Sequence, residues 1–474
     1  MNNIQSPIIQ GLSSYRDENI LRFHMPGHYG KSSFPELNYL CDNLFSFDVT
    51  EVDGTDNLNH PQEMILDSLN KLSSIYQSKQ SFILVNGSTS GIHIAIDTLV
   101  DDGGCVIAAR NCHKSVYNIL DKKNVCINYI YPVIDDEFYT DSHINYNELI
   151  NMIDDICNSN STPVSAVILT CPNYFGRTFE LEPISRYLQQ KNIYLIIDEA
   201  HGAHFPFSPY LPKSAISQGA TIAIQSAHKT LPALTQTAMM HLGENFPDSK
   251  LQKLKNNINF YQTTSPSYIL MASCETAVDI MNKYGTEGLN NIKIWIDKAK
   301  LKLTSNPDIK IYDNSISQDF CKLAIKTPIL GADLSKILRK EYKIQCEMTM
   351  GLNILFMIGL THTENDINYL VNSIIDALKN NRHLYCPDLN YYCKNPYPKT
   401  VSCKKPFLTK TGSMKKTSII TKIIQDVNGD ICAEQIVPYP PGVPLLMPYE
   451  IINKDMKIAL EYHKFSEIKC FMID

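Results

Sequence analysis

The sequence predicts an α/β protein whose large domain is built on a mostly parallel sheet, and three observations carry that expectation. From Ser81 onward, short apolar runs rich in Ile and Val alternate with stretches of helical periodicity: "SFILVN" then "GIHIAIDTLV", "CVIAA" then a segment from Lys114, "SAVILT" then "ISRYLQQ", and finally "IYLIID" and "TIAIQS". Runs of this length between helices fit strands covered on both faces. The chain's 474 residues and 44% hydrophobic content are enough for two or three domains packed into one subunit. The residues best suited to chemistry fall just after the apolar runs, where open α/β sheets hold their ligands.

Taken in order, residues 1–60 form an amino-terminal arm. It has little periodicity but dense turn chemistry at Pro26-Gly27, Asp53-Gly54 and Asp56 to Pro61. An arm of this kind cannot bury itself, so it is expected on the main domain or on a second subunit. Residues 61–289 form the large domain. Within it Asn86-Gly87-Ser88-Thr89-Ser90-Gly91 follows a strand-like run and opens a helix. Backbone amides at a helix N-terminus, with three hydroxyls, suit a phosphate dianion, although a serine-rich helix cap would read the same.

Two later turns carry the chemistry. Asp198-Glu199-Ala200-His201 closes the run "IIDEAH", and Gln225-Ser226-Ala227-His228-Lys229-Thr230 follows the next strand. A lysine set among small and hydroxyl residues can be desolvated, which lowers its pKa and lets it add to an aldehyde. If that aldehyde is pyridoxal 5′-phosphate (PLP), a carboxylate must face the ring nitrogen, and Asp198 suits that role.

Beyond Pro266 a helical pattern runs through "SYILMASCETAVDIMNKY". Residues 290–382 read as a smaller α/β domain, 383–417 as a linker rich in Pro, Tyr and Lys, and 418–474 as a small C-terminal domain containing "VPYPPGVPLLMPYE". A net charge of -6, from 43 Lys+Arg against 49 Asp+Glu, provides no basic field for nucleic acid and is compatible with a cationic substrate. Fourteen cysteines without a C-x-x-C pair suggest reduced thiols. Cys386, Cys393 and Cys403 near His383 are the one group to weigh as ligands, and no metal is expected. The opening MNNIQSPIIQ lacks the basic start and apolar core of a signal peptide, and no run reaches the length of a membrane span. A soluble, cytoplasmic protein is expected.

The motifs around Lys229, with the hydroxyl-rich turn upstream, resemble the Orn/Lys/Arg decarboxylase family of fold-type I PLP enzymes, in the short form without an amino-terminal receiver-like domain. There S-x-H-K carries the Schiff-base lysine and D-E-A-H holds the ring. The resemblance implies a PLP-dependent transferase-like large domain of the aspartate aminotransferase type. It also implies roles for single residues: Thr89 and Ser90 on the phosphate with Ser88 adjacent, Ser226 and His228 on it from the other side, His113 stacked on the ring, and Asp198 on the ring nitrogen. Ala200 leaves room beneath the ring and His201 lies at its substrate edge.

"TCPNYFG" at 170–176 is similar to the family's P-T-Y-x-G: Tyr174 and Gly176 match, while Asn173 stands where Thr is common and its amide can replace that donor. "TTSPSY" at 263–268 resembles the segment that completes the partner's phosphate site, so Thr263, Thr264 and Ser265 are implied in trans, with a helix cap as the plain alternative. "RFHMPGH" and "DVTEVDGTDNLNHP" are similar to the family's arm, which belongs to the dimer and borders the site. Asp56, and Glu434 from the same or the other subunit, are the implied partners of a basic side chain. Asp53, Asn57 and Tyr29 depart from the family pattern.

The resemblance as a whole implies a homodimer with shared active sites that decarboxylates arginine, lysine or ornithine. The departures motivate a second reading, an aminotransferase or oxidative decarboxylase, which the spacing of the PLP residues does not distinguish. Intact Asp198, His228 and Lys229 argue against a silent homologue. Polyamine synthesis, acid resistance and a specialised product all stay open as physiological roles.

Overall fold

A computed structural model describes residues 6–123, 125–159, 162–313, 318–386, 419–438 and 442–472. The arm is more regular than its turn-rich sequence implies. It contains a helix, Pro7–Asp17, the strand β1 (Leu21–Phe23) and two short helices, Pro35–Asp42 and Leu44–Phe47.

The large domain holds seven strands: β2 (Gln80–Leu84), β3 (Cys105–Ala109), β4 (Cys126–Ile130), β5 (Val164–Thr170), β6 (Tyr194–Asp198), β7 (Ile222–Gln225) and β8 (Ala238–Leu242). They lie in the order β2-β8-β7-β6-β5-β3-β4. The five strands from β4 to β7 pair in parallel, while β8 runs antiparallel to both β7 and β2. Helices cover both faces, so Val106, Ile107, Val167, Ile168, Ile196 and Ile197 lose all exposure. Each such side chain contributes about 1.5–3 kcal/mol, which is why these strands read as unbroken apolar runs.

Two strands lack that signature. β4 is an edge strand and mostly half-exposed. β8 is fully buried but spelled Ala-Met-Met-His-Leu, residue types that favour helices, and its pairing on both sides overrides that preference. The histidine in β8 belongs to a buried polar chain. Ser81 Oγ lies 2.7 Å from His241 Nδ1, His241 Nε2 lies 3.1 Å from Gln225 Oε1, and Gln225 Nε2 donates to Glu199 at 2.8 Å. Glu199 also accepts the Ala215 N–H at 2.8 Å, and burial pushes its carboxyl up to about 8. The Glu of the D-E-A-H turn is thus taken up by the fold.

A 37-residue helix, Tyr268–Thr304, leaves the large domain and enters the smaller one, so the expected border at 289/290 falls inside a continuous helix. The smaller domain adds β9 (Lys310–Ile311), β10 (Lys322–Lys326), β11 (Ile344–Cys346), β12 (Met348–Met350) and β13 (Asn353–Met357), with helices Gly331–Glu341 and Glu364–Asn380. Its sheet has the order β12-β13-β10-β9 and is antiparallel.

The arm was expected on the main domain or a partner, but β1 pairs in parallel with β11 of the smaller domain, Leu21 opposite Ile344. Phe23 stacks on His362 at 4.7 Å, and Lys31 ion-pairs Asp366 at 2.7 Å. From there the arm reaches the large domain. The Gly27 N–H donates to His228 O at 2.7 Å, and a Cβ at Gly27 would sit 2.4 Å from Leu231 O. Glycine is what lets the arm touch the turn carrying Lys229.

The C-terminal region pairs β14 (Ile419–Ile423) with β15 (Glu467–Phe471) and adds the helix Lys454–Tyr462 over a core of its own that includes Ile424, Ile452 and Leu460. A fully buried ion pair fastens it to the end of β3. Arg110 gives Nε to Glu450 Oε1 at 2.7 Å, Nη2 to Oε2 at 2.8 Å and Nη1 to Pro444 O at 2.7 Å, with neither side chain exposed. Removing one partner strands the other charge, so Glu450→Leu is expected to cost about 3–5 kcal/mol in chemical denaturation. A loss below about 1 kcal/mol would show that the pair does not hold the domain.

Cys393, Cys403 and most of the expected linker lie outside the described residues. Among the described residues, no helix is long and apolar enough to cross a membrane.

Candidate active site

A pocket of about 350 Å³ opens at the carboxyl ends of β3, β5, β6 and β7, within the range of small-molecule sites. Between β3 and β5 the chain order reverses around β4, which leaves the crevice where the pocket forms.

After β2, Gly87 at φ +75° starts the helix Gly87–Leu99, and Ser88 and Thr89 face the pocket. The first amides of this helix have no carbonyl partners of their own and favour an anion. Ser226 Oγ donates to Ser88 Oγ at 2.9 Å and so joins the two turns. Ser90 differs from its expected role: it is buried, its hydroxyl donates to Gly87 O at 2.7 Å, and it does not line the pocket.

His113 caps the helix Lys114–Lys122, its Nδ1 accepting the Ser115 N–H at 3.3 Å. Burial, with the charges of Lys229 and Lys114, lowers its pKa to about 4, so it presents a neutral flat ring. His228 donates Nδ1–H to Thr237 O at 2.9 Å and is likewise lowered to about 4, chiefly by burial. Its remaining nitrogen donates to an anion only once protonated.

Asp198 is the last residue of β6. Burial raises its carboxyl pKa, against the pull of Lys229 and of the Ala200 N–H at 3.1 Å. Ala200 also lines the pocket. Lys229 sits in the short turn Ala227–Thr230, and burial lowers its pKa while Asp198 and Glu347 oppose the shift. Its Nζ lies 3.2 Å from His201 Nε2. The Tyr174 ring meets the His201 ring at 4.7 Å and 62°, and its hydroxyl hydrogen-bonds Glu347. Lys229, Asp198, His113, His201, Ser88, Thr89, Ala200, His228 and Tyr174 therefore surround one cavity.

Besides Ser90 and Ser226, three expected assignments, Asp56, Glu434 and Thr264, do not join it within one chain. The Asp56 carboxylate is buried and accepts the N–H groups of Asn57, Gln62, Glu63 and Ile65 at 2.8–3.0 Å, which hold its pKa down despite burial. It serves as an anchor for the turn before the helix Met64–Tyr76. Glu434 accepts the Lys469 N–H at 2.7 Å and stands 3.6 Å from the Lys469 ammonium. Thr264 and Ser265 are exposed, Thr263 is half-buried, and the helix after them is capped by Ser267. Asn173 does line the pocket, but its Nδ2 donates to Asp141 O at 2.6 Å and its Oδ1 accepts the Arg177 N–H at 2.8 Å, so its amide is engaged in the turn.

Other residues at the site belong to no motif. A second cavity, also about 350 Å³, shares His113, Tyr174 and Lys229 and adds His24, Arg339 and Glu347. Glu347 accepts the Met25 N–H of the arm at 2.9 Å, so it could only have been found by knowing that β1 pairs with β11. Asn111, just past β3, lines the pocket and keeps a buried amide oxygen without a partner. Val443, Pro444, Leu445 and His463 form a wall from the C-terminal region.

The Orn/Lys/Arg decarboxylase major domain matches residues 6–314 and the Orn/Lys/Arg decarboxylase C-terminal domain matches residues 411–469. The Bacillus subtilis protein YaaO is 29% identical, over 95% of this chain and 93% of its own length. An arginine decarboxylase of Halalkalibacterium halodurans is 26% identical, over 95% of this chain and 91% of its own. The lysine decarboxylase LdcF of Francisella novicida shares the fold with a TM-score of 0.73 at 18% identity, over 98% of this chain and 83% of its own.

Proposed function

The chain belongs to the Orn/Lys/Arg decarboxylase family, and from that premise we propose that it binds PLP through Lys229 and converts a basic L-amino acid, arginine, lysine or ornithine, to its amine and CO2. The observation that carries the reading is that Lys229 and the buried Asp198 line one pocket, each acting on the other's charge, beside the helix N-terminus that carries Ser88 and Thr89.

The residues fit the cofactor. Asp198 is a buried carboxylate with one hydrogen bond, from the Ala200 N–H, which leaves an oxygen for a ring N–H. The amides opening the helix Gly87–Leu99, with Ser88 and Thr89, suit its phosphate; Ser226, fully buried, supports Ser88 through its hydroxyl, and His228 adds a donor on protonation. When bound, PLP supplies a protonated ring that accepts the electron pair of the bond being broken. Asp198 keeps that ring nitrogen protonated, and His113 offers a neutral face to the ring. Lys229 would be the residue that holds the group at its aldehyde carbon, the aldehyde oxygen leaving as water, and its Nζ would hold and move protons. Met348, Met350, Val443 and Leu445 keep water from the reacting carboxylate, which the pocket solvates poorly.

The acidic group that faces Lys229 from the second cavity is Glu347. Glu347→Gln is expected to raise KM for the basic substrate about tenfold or more with a smaller change in kcat, measured by steady-state kinetics. An unchanged KM would exclude Glu347 as the partner of the substrate cation.

The dimer with shared sites is supported by the arm, where Ile8, Leu12, Tyr39 and Phe45 are exposed, Phe45 at 97%. Thr264, on the same chain's surface, then serves the partner's phosphate. Mixing inactive Lys229→Ala with an inactive Thr264→Asp variant is expected to restore about a quarter of wild-type activity through hybrid dimers. No recovery at any ratio counts against shared sites. Twelve free cysteines among the described residues support a reducing, cytoplasmic setting, and the product class fits polyamine synthesis.

The test of the whole reading is mass spectrometry of products after PLP-loaded protein meets arginine, lysine and ornithine separately. The matching amine and CO2 from one of them are expected. A keto acid or aldehyde in its place would move the reaction to transamination or oxidative decarboxylation.

A further inference from the structure

Glu347 is held from three sides. It stands between β11 and β12 in the smaller domain, where its own N–H donates to Leu355 O at 2.9 Å. Its carboxylate accepts one hydrogen bond on each oxygen. The Met25 N–H of the arm reaches Oε2 at 2.9 Å, and the Tyr174 hydroxyl of the large domain donates to Oε1. A carboxylate offers about four lone-pair sites in all, so each oxygen keeps room for one further donor.

Tyr174 is itself placed by the turn after β5. The Asn173 N–H donates to Arg177 O at 2.9 Å, and the Gly176 N–H to Asn173 O at 3.0 Å. Two more bonds fasten this turn to the smaller domain: Gln318 Nε2 donates to Phe175 O at 2.7 Å, and the Asp319 N–H to Gly176 O at 2.8 Å. The Tyr174 ring then rests edge-on against His201, with its hydroxyl on Glu347.

The second cavity carries other polar groups, but they are engaged with one another. Arg339 gives Nη1 to Gln345 Oε1 and Nη2 to Glu18 Oε2, both at 2.9 Å. His24 has the Tyr15 hydroxyl 3.1 Å from Nε2 and Met25 O 2.6 Å from Nδ1. Glu347 is the one acidic side chain among the described residues that line this cavity with Lys229. We propose that Tyr174 is a positioning residue for substrate selection: with the Met25 amide it fixes the Glu347 carboxylate so that the open sites meet the distal cation of the substrate. Ordering a glutamate side chain costs conformational entropy, and a carboxylate ordered in the folded enzyme does not lose that freedom again on binding. The inference rests on the proposed decarboxylation, with Glu347 as the partner of the substrate cation.

The test is a double-mutant cycle on the PLP-loaded enzyme with the basic amino acid that it decarboxylates. Tyr174→Phe keeps the ring against His201 and removes the donor. It is expected to raise KM about three- to tenfold with a smaller change in kcat. In a Glu347→Ala background the same substitution is expected to change kcat/KM by less than about twofold, because the group it positions is gone. Inhibition constants separate positioning from general damage. The product amine, which carries the distal cation, should bind Tyr174→Phe more weakly by the same factor as KM. An unbranched monoalkylamine of matched length, which lacks that cation, should bind as it does to wild type.

An unchanged KM in Tyr174→Phe, in protein whose circular dichroism and cofactor absorbance match wild type, would overturn the inference. So would the full factor persisting in the Glu347→Ala background, which would mean that Tyr174 meets the substrate directly. Equal weakening of both amines would overturn it too, since the pocket as a whole would then be disturbed. Should Tyr174→Phe not fold, Tyr174→Leu runs the same cycle. Product analysis of wild type tests the foundation separately: no amine from any basic amino acid removes the functional reading, and the matching amine with no effect of Tyr174→Phe removes only this inference.

Discussion

Lys229→Ala is expected to yield a folded protein with no borohydride-stable bond to PLP and a turnover reduced by at least about 10³-fold. The expectation follows from the scarcity of substitutes. Lys322 is the other buried lysine near the site, but it lies behind His201 and does not line the pocket. His113 and His201 are held neutral by burial and cannot form the covalent link. Residual PLP binding through the phosphate donors is expected, since Ser88 and Thr89 stay in place, and the absorption spectrum should resemble free PLP. Full activity in the variant would remove Lys229 from the mechanism altogether.

Asp198→Asn is expected to lower kcat by about 10²–10⁴-fold while PLP stays bound, because the amide does not hold a proton on the ring nitrogen. The cofactor-free protein supplies a second, independent readout with a definite sign. Asp198 raises the Lys229 pKa against burial, so removing its charge lets that pKa fall further. The midpoint of Lys229 acetylation should move to lower pH, giving more free amine at neutral pH even as turnover drops. A loss of rate with the midpoint moving upward would mean that Asp198 does not face Lys229.

Much of this arrangement was readable in the sequence, because the strands from β3 to β7 are buried on both faces and their composition records it. The turns after β2, β6 and β7 carried Ser88, Thr89, Asp198, His201 and Lys229 in recognisable order. The acidic residues were harder. Asp56 and Glu434 were reasonable candidates in a linear chain, but four backbone amides hold one and Lys469 holds the other. Glu347 became visible only through the pairing of β1 with β11, residues more than three hundred positions apart. The antiparallel β8 was hidden for a different reason: its methionines and histidine describe what it packs against, not the strand it forms.

The joint between Arg110 and Glu450 also bears on how selectivity can change. It holds Val443, Pro444, Leu445 and His463 against a pocket whose reactive groups all come from the large domain. Chemistry and part of the substrate-facing wall therefore reside in separate modules, with the buried Arg110–Glu450 pair at their joint. A graft of this region from a relative with another substrate, carried together with its Glu450 equivalent, should transfer part of that relative's preference and leave the Lys229 chemistry as it is.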